Sequence, residues 1–186
     1  MKGGAVSLTG STVTLNGNID TSGSDAKSGS TSQAGGLGNT VTLNSPTVLG
    51  GDYSITSQGG RATDGSAAYT TRAAGDAVWF KNTLEGTTAF ADDLTITAGT
   101  GDITFTGIVG GGTPLGAVTI NLANNVTTSA AFSAASVNQA VSGTGTTQIG
   151  GLLTTTGALK LDAVTVDLND NLVSNGGLVT LNAGAG

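Results

Sequence analysis

The sequence predicts an all-β chain, a parallel β-helix solenoid of about eight turns, and three observations predict it. Gly and Thr each supply 32 of the 186 residues, while charged residues make up 10% and aromatic residues 4%. Thr and Val favour pleated, half-buried surfaces and Gly and Asn favour tight turns, so this composition selects strands and bends over helices. The second observation is a three-residue phrase, apolar-polar-apolar, that recurs from one end of the chain to the other. The third is the character of what lies between its copies: short runs of Gly, Asn, Asp and Ser, which supply bends.

The phrase is cleanest at Ala117-Val118-Thr119-Ile120-Asn121. Aligned on Val118, its copies fall at Val6, Val41, Val78, Ile103, Val118, Val137, Leu159 and Val179, at intervals of 35, 37, 25, 15, 19, 22 and 20. Two residues further on, the row reads Leu8, Leu43, Phe80, Phe105, Ile120, Gln139, Leu161 and Leu181, apolar in all but one case. Alternation at a spacing of two is a strand with one buried face, and its return about every 20 residues is the signature of a solenoid. A turn of that length has room for about three short strands. Second strands are expected at Val13-Thr14-Leu15, Leu94-Thr95-Ile96 and Val164-Thr165-Val166, and third ones at Ile19, Ile55 and Leu172-Val173. Eight such turns make a rod of roughly 40 Å. The position after each buried pair, including Asn44, Asn121, Asp162 and Asn182, reads as a polar ladder at a bend. Asn and Asp bond their own backbone there and tolerate left-handed dihedrals.

The first two intervals exceed the rest by about 15 residues, in the Gly/Ser-rich runs 21–39 and 57–76. Each follows a third strand and precedes a first one, so both fall at the same corner and side by side on one flank. In a solenoid, insertions collect on one face, often the binding face. Neither carries apolar periodicity, so both are expected to be mobile loops. The chain reads as a single β-helix domain over 1–186 and as a fragment of a longer repeat protein.

Net charge −6, a pI near 4.1 and the lack of any basic run argue against nucleic acid as a partner. No apolar run is long enough to insert this segment in a membrane. With no Cys, disulfides and thiolate metal sites are excluded. No cofactor is implied. Calcium is the one ion a polar ladder invites, but the tandem Gly-Gly-x-Gly-x-Asp of calcium-binding β-rolls is absent.

The second insertion holds the densest group of aromatic and charged residues: Arg61, Tyr69 and Arg72, with Tyr53 before it and Trp79 after it. These five are the candidate ligand-binding residues. An exposed aromatic ring stacks on the apolar face of a sugar while Arg, Asp and Asn bond its hydroxyls. The competing reading has Trp79 and Tyr69 pinning the insertion to the rod. Asp92, Asp93, Asp162, Asp167 and Asp170 are the carboxylates close enough in sequence to invite acid-base catalysis on a polysaccharide. The chain has no His, and no carboxylate row repeats over adjacent turns, so no catalytic residues are assigned and the chain reads as a non-enzyme. Thr ranks on a flat face also occur in ice-binding proteins, but here Trp79, Asn138 and Lys160 break the outward row.

At Leu94-Thr95-Ile96-Thr97 through Gly107, at Thr113-Pro114-Leu115-Gly116 leading into Ala117–Asn121, and at Gly150-Gly151-Leu152-Leu153-Thr154-Thr155-Thr156-Gly157, the chain resembles filamentous-haemagglutinin-like exoproteins and autotransporter-type adhesins of bacteria. Gly17–Gly23 and Leu178–Asn182 resemble the same family's strand-and-turn phrases. The resemblance covers most of the chain outside the two insertions. It implies a right-handed parallel β-helix exported to the bacterial cell surface, a stalk or fibre for adhesion, aggregation or biofilm. The expected partners are further copies, end to end or along the fibre, and glycans or proteins of a host or neighbouring cell. A glycan- or partner-binding module built on the two insertions is the alternative, with a polysaccharide-degrading enzyme or an ice-binding protein behind it.

Overall fold

A computed structural model describes residues 4–27, 32–64, 69–140 and 145–184. All of the regular structure in these residues is strand, and all but one of the strand pairings are parallel. The chain visits three stacked sheets in rotation, consistent with a β-helix or solenoid.

The first sheet runs β1 (Val6–Leu8), β4 (Val41–Leu43), β9 (Val78–Phe80), β12 (Ile103–Phe105), β14 (Val126–Thr128), β16 (Thr146–Ile149) and β19 (Thr165–Leu168). The second begins with β2 (Val13–Leu15), β5 (Thr47–Leu49) and β10 (Leu84–Gly86). It continues through single bridges at Val109 to the front of β15 (Phe132–Gln139), then β17 (Leu153–Thr155) and β20 (Leu172–Ser174). The third sheet runs β3 (Ile19–Asp20), β6 (Tyr53–Thr56), β11 (Leu94–Thr97), β13 (Leu115–Leu122), the back of β15, β18 (Leu159–Ala163) and β21 (Val179–Ala183). The remaining pair, β7 (Arg61–Thr63) and β8 (Tyr69–Arg72), is an antiparallel hairpin inside the second insertion.

The first sheet holds seven strands, so the described residues make seven rungs where about eight were expected. The discrepancy is a slip of register between sheets. Val6, Val41, Val78 and Ile103 do form one column, but it continues through Val126, Thr147 and Val166. Val118, Val137, Leu159 and Val179 form a different column, headed by Leu94 in the third sheet. Likewise Leu94-Thr95-Ile96 belongs to the third sheet rather than the second, Thr165-Val166 to the first, and Leu172-Val173 to the second. The true intervals along the first sheet are 35, 37, 25, 23, 21 and 19. The interval of 15 was too short for a rung, because it ran from one sheet to another within the same one.

Inside the coil, the alternate residues of all three sheets pack into one core that includes Leu43, Ile55, Leu84, Leu94, Ile96 and Val118. Phe80 and Phe105, one rung apart, stack with centroids 4.9 Å apart, and Phe132 meets Phe105 edge-on at 5.4 Å. Gln139, the one polar member of its row, still points inward. It is fully buried, and its Nε2 donates to Thr147 Oγ1 at 2.7 Å and to the Asp162 carbonyl at 3.0 Å.

Thr128 is the exception to that rule of satisfaction. It takes the inward place between Phe105 and Ile149, is buried, and its Oγ1 has no hydrogen-bond partner among the described residues. An interior cavity of about 10 Å³ adjoins it. A buried hydroxyl without a partner costs about 1–3 kcal/mol. Thr128→Val keeps the shape and removes that cost, so it is expected to raise the urea midpoint by about 1 kcal/mol of stability. A lower midpoint would mean that the hydroxyl has a partner, such as a water in the cavity.

Candidate functional site

The two insertions are hydrogen-bonded to each other and extend the ladder of the rungs sideways. The N–H groups of Thr21, Gly23 and Ala26 donate to the carbonyls of Thr56, Gln58 and Arg61 at 2.8–3.0 Å, an offset of 35 residues that repeats the spacing of Val6 and Val41. On the return path Gly38 donates to Ala74 at 2.9 Å, and within and between the insertions Gly36 pairs with Ser24, Gly60 with Gly36 and Ala73 with Gly60. The runs read as irregular loops are therefore backbone-paired layers, with the β7–β8 hairpin at one edge.

Glycine makes that stacking possible. A Cβ on Gly23 would stand 1.8 Å from the Gly36 carbonyl oxygen, and one on Gly60 would stand 2.1 Å from that of Ser24. No side chain fits between backbones that close.

Of the five predicted residues, Arg61 and Arg72 come together. They are directly opposite each other in the hairpin and line a groove of about 320 Å³ with Ser22, Gly23, Asp25, Gln58 and Gly59. Asp25 is gripped from the second insertion: Oδ1 accepts the Arg61 N–H at 2.6 Å, while Oδ2 takes Arg61 Nε at 3.1 Å and Nη2 at 3.0 Å. The backbone bond from Arg61 leads in holding the Asp25 carboxyl below its ordinary value of 3.8, against the upward push of burial. The Arg61 side chain and the charge of Arg72 add to it. Arg72 Nη1 donates to the Gly59 carbonyl at 3.1 Å.

The other three candidates lie elsewhere. Tyr53 packs against the core and lines a separate groove of about 260 Å³ with Asn18, Asp52, Ser54, Asp93 and Thr95. Trp79 stands 42% exposed on the outer face of the first sheet, opposite Thr42 and Thr104. Its Nε1 donates to Thr106 Oγ1 at 2.8 Å, and Lys81 Nζ sits 4.5 Å from the ring centroid. These contacts fix Trp79 to its own sheet and not to the insertion. Tyr69 lies on β8, where its backbone pairs with Thr63, and its side chain falls outside what is described.

Ser22, Asp25 and Gln58 were not singled out in the sequence. The 35-residue interval held the signal for Asp25, since it sets Asp25 and Ala26 beside Arg61.

The carboxylates considered for catalysis are all engaged: Asp92, Asp93 and Asp170 at bends, and Asp162 and Asp167 within strands, where Asn121 and Asn182 also lie although a bend was expected there. Asp92 accepts Thr87 N–H at 2.5 Å, Thr88 N–H at 2.8 Å and Thr87 Oγ1–H at 3.0 Å. Burial pushes its carboxyl up, and these bonds together outweigh that and hold it below 3.8. Asn18 Oδ1, Asp52 Oδ1 and Asp93 Oδ1 accept the N–H groups of Ser54, Asp93 and Ala117 in successive rungs, at 2.8, 2.9 and 2.6 Å. Asp162 is bonded by Lys160 Nζ at 2.6 Å, which leads in lowering its pKa, and by Asn182 Nδ2. Asp167 takes Gln148 and Asn169 side chains, and Asp170 the Asn171 N–H. Among the described residues no group of three or more His, Cys, Asp or Glu is placed to hold a metal ion.

Two outcomes test this reading. Gly60→Ala is expected to lower stability by more than about 1 kcal/mol and to remove hydrogen-exchange protection in β7 and β8, while Gly17→Ala, with open space around it, leaves the melting temperature unchanged. A depressed carboxyl contributes stability that is present above its unfolded value and lost as pH falls through the folded one. Asp92→Asn should therefore be less stable than wild type at neutral pH, with the gap in urea midpoint closing as pH drops below 3.8. A gap independent of pH would mean that the charge of Asp92 does not hold the bend.

The chain matches no protein-family model, no curated protein and no solved structure.

Proposed function

We propose that the chain is a structural segment of an extracellular bacterial fibre or adhesin, a right-handed parallel β-helix that provides reach and display at the cell surface. The observation that carries this reading is the parallel ladder running through all seven strands of the first sheet, with mainly apolar columns inward and an outward row that is polar at Ser7, Thr42, Thr104, Thr127, Gln148 and Asp167 and broken by Trp79. Such a stack resists extension along its axis by many backbone bonds at once and stays soluble with few charges. Right-handedness follows the strong preference of parallel β crossovers. The phrases around Leu94, Val118 and Leu153, which resemble those of filamentous-haemagglutinin-like exoproteins, lie in these same sheets.

The reading is non-catalytic, and the commitment of Asp92 and Asp93 to bends and of Asp162 to Lys160 and Asn182 supports it. Its partners are further copies or rungs along the fibre, and surfaces or glycans of other cells.

Antibodies raised against the chain should label intact cells of the source organism, and mild protease treatment of those cells should release that epitope. Labelling that appears only after permeabilisation would rule out a cell-surface role.

A further inference from the structure

We propose that the groove between the two insertions binds a carboxylate-bearing sugar, a hexuronate unit of an acidic polysaccharide, with Arg72 as the carboxylate-binding residue. The fibre reading is not needed for this, since the groove is built by the insertions alone.

The first ground is an arrangement that folding does not favour by itself. Arg61 and Arg72 are cross-strand partners in the hairpin, and like charges directly opposite each other destabilise a β pair. Lys27, Arg61 and Arg72, half of the six Lys and Arg, fall in the two insertions with Asp25, Asp64 and Asp76, so these runs are neutral in a chain of net charge −6. Among the described residues the groove's lining carries two guanidiniums and one carboxylate.

The second ground is how the two arginines are engaged. Asp25 occupies the Nε and Nη2 edge of Arg61 through Oδ2 alone, its Oδ1 being taken by the Arg61 backbone N–H. Arg72 is exposed and lines the groove, and among the described residues its guanidinium makes one hydrogen bond, from Nη1 to the Gly59 carbonyl. The remaining N–H donors form the planar fork that fits a second carboxylate. The third ground is the rest of the lining. Ser22 and Gln58 offer side-chain donors and acceptors, and Gly23 and Gly59 present bare backbone, a polar surface that suits vicinal hydroxyls. At about 320 Å³ the groove lies at the small end of ligand sites, which span about 300–1,000 Å³, and so suits a single sugar unit.

The test is titration of the whole chain, followed by calorimetry and saturation-transfer NMR, with oligomers of galacturonate and glucuronate, the matching neutral oligomers and inorganic phosphate. Uronate oligomers should bind, with neutral ones weaker by about tenfold or more, the loss of roughly one charge-assisted bond. Arg72→Gln should weaken uronate binding by a similar factor with an unchanged melting temperature. Arg72→Lys keeps the charge without the fork and should also weaken it. Absence of uronate binding, equal binding of neutral oligomers, or phosphate binding as tight as the uronates would each overturn the proposal. If Arg72→Gln does not fold, Arg72→Lys decides, and undiminished uronate binding by it would overturn the role given to Arg72.

Discussion

The structure depends on one interaction, the parallel backbone ladder between consecutive rungs. A rung of three short strands encloses no core, and its N–H and C=O groups point up and down the coil axis instead of at each other. Each rung is therefore satisfied only by its neighbours. The register of the ladder sets which side chains share a column: Phe80 meets Phe105 because Val78 pairs with Ile103. The same register sets the bends, where Asn18, Asp52 and Asp93 each hold an N–H of the next rung. Those side-chain oxygens serve the backbone at the points where a chain with few charges would otherwise leave donors unpaired.

Seen this way, what could be read from the sequence divides cleanly. Strand character and inward direction were legible, because alternation is a local property: Val118 and Ile120 are buried and Thr119 is not, and even Gln139 obeys the pattern by facing inward. Sheet membership was not legible. A phrase such as Val118-Thr119-Ile120 is indistinguishable from Val41-Thr42-Leu43, although one lies in the third sheet and the other in the first. Only rung length separates the two, and rung length varies from 37 down to 19 residues along the first sheet. The position of the insertions was legible from the excess over that length, whereas their internal order was not.

The hidden order has a definite cause. Gly/Ser-rich composition ordinarily signals a chain that loses too much entropy to be fixed. Here Gly23 and Gly60 are required for the opposite reason, since backbones stacked so closely leave no room for a Cβ. Composition reports that side chains are missing, and it does not report whether another strand has taken their place. The candidate residues divided on a similar ground. Arg61 and Arg72 converge because hairpin register brings them together, while Tyr53 and Trp79, close to them in sequence, sit on a different groove and a different face.

The insertions also differ in kind from the scaffold that carries them. Elsewhere the charged groups are balanced locally: Lys160 on Asp162, Glu85 on the N–H groups of Gly112 and Thr113, Asp102 on Asn124 and Asn125. The contacts of Glu85 and Asp102 tie one rung to its neighbour, and that of Lys160 lies within a single strand. A rod needs nothing more from its surface. The hairpin places Arg61 opposite Arg72 at the end of an extension that adds no rung to the coil and no residue to its apolar columns. An arrangement that lengthens the chain, sets like charges face to face and opens a polar groove contributes nothing to the core. Its physical consequence is a concave surface lined by two guanidiniums on an otherwise acidic rod, and that is where recognition by this chain would be concentrated.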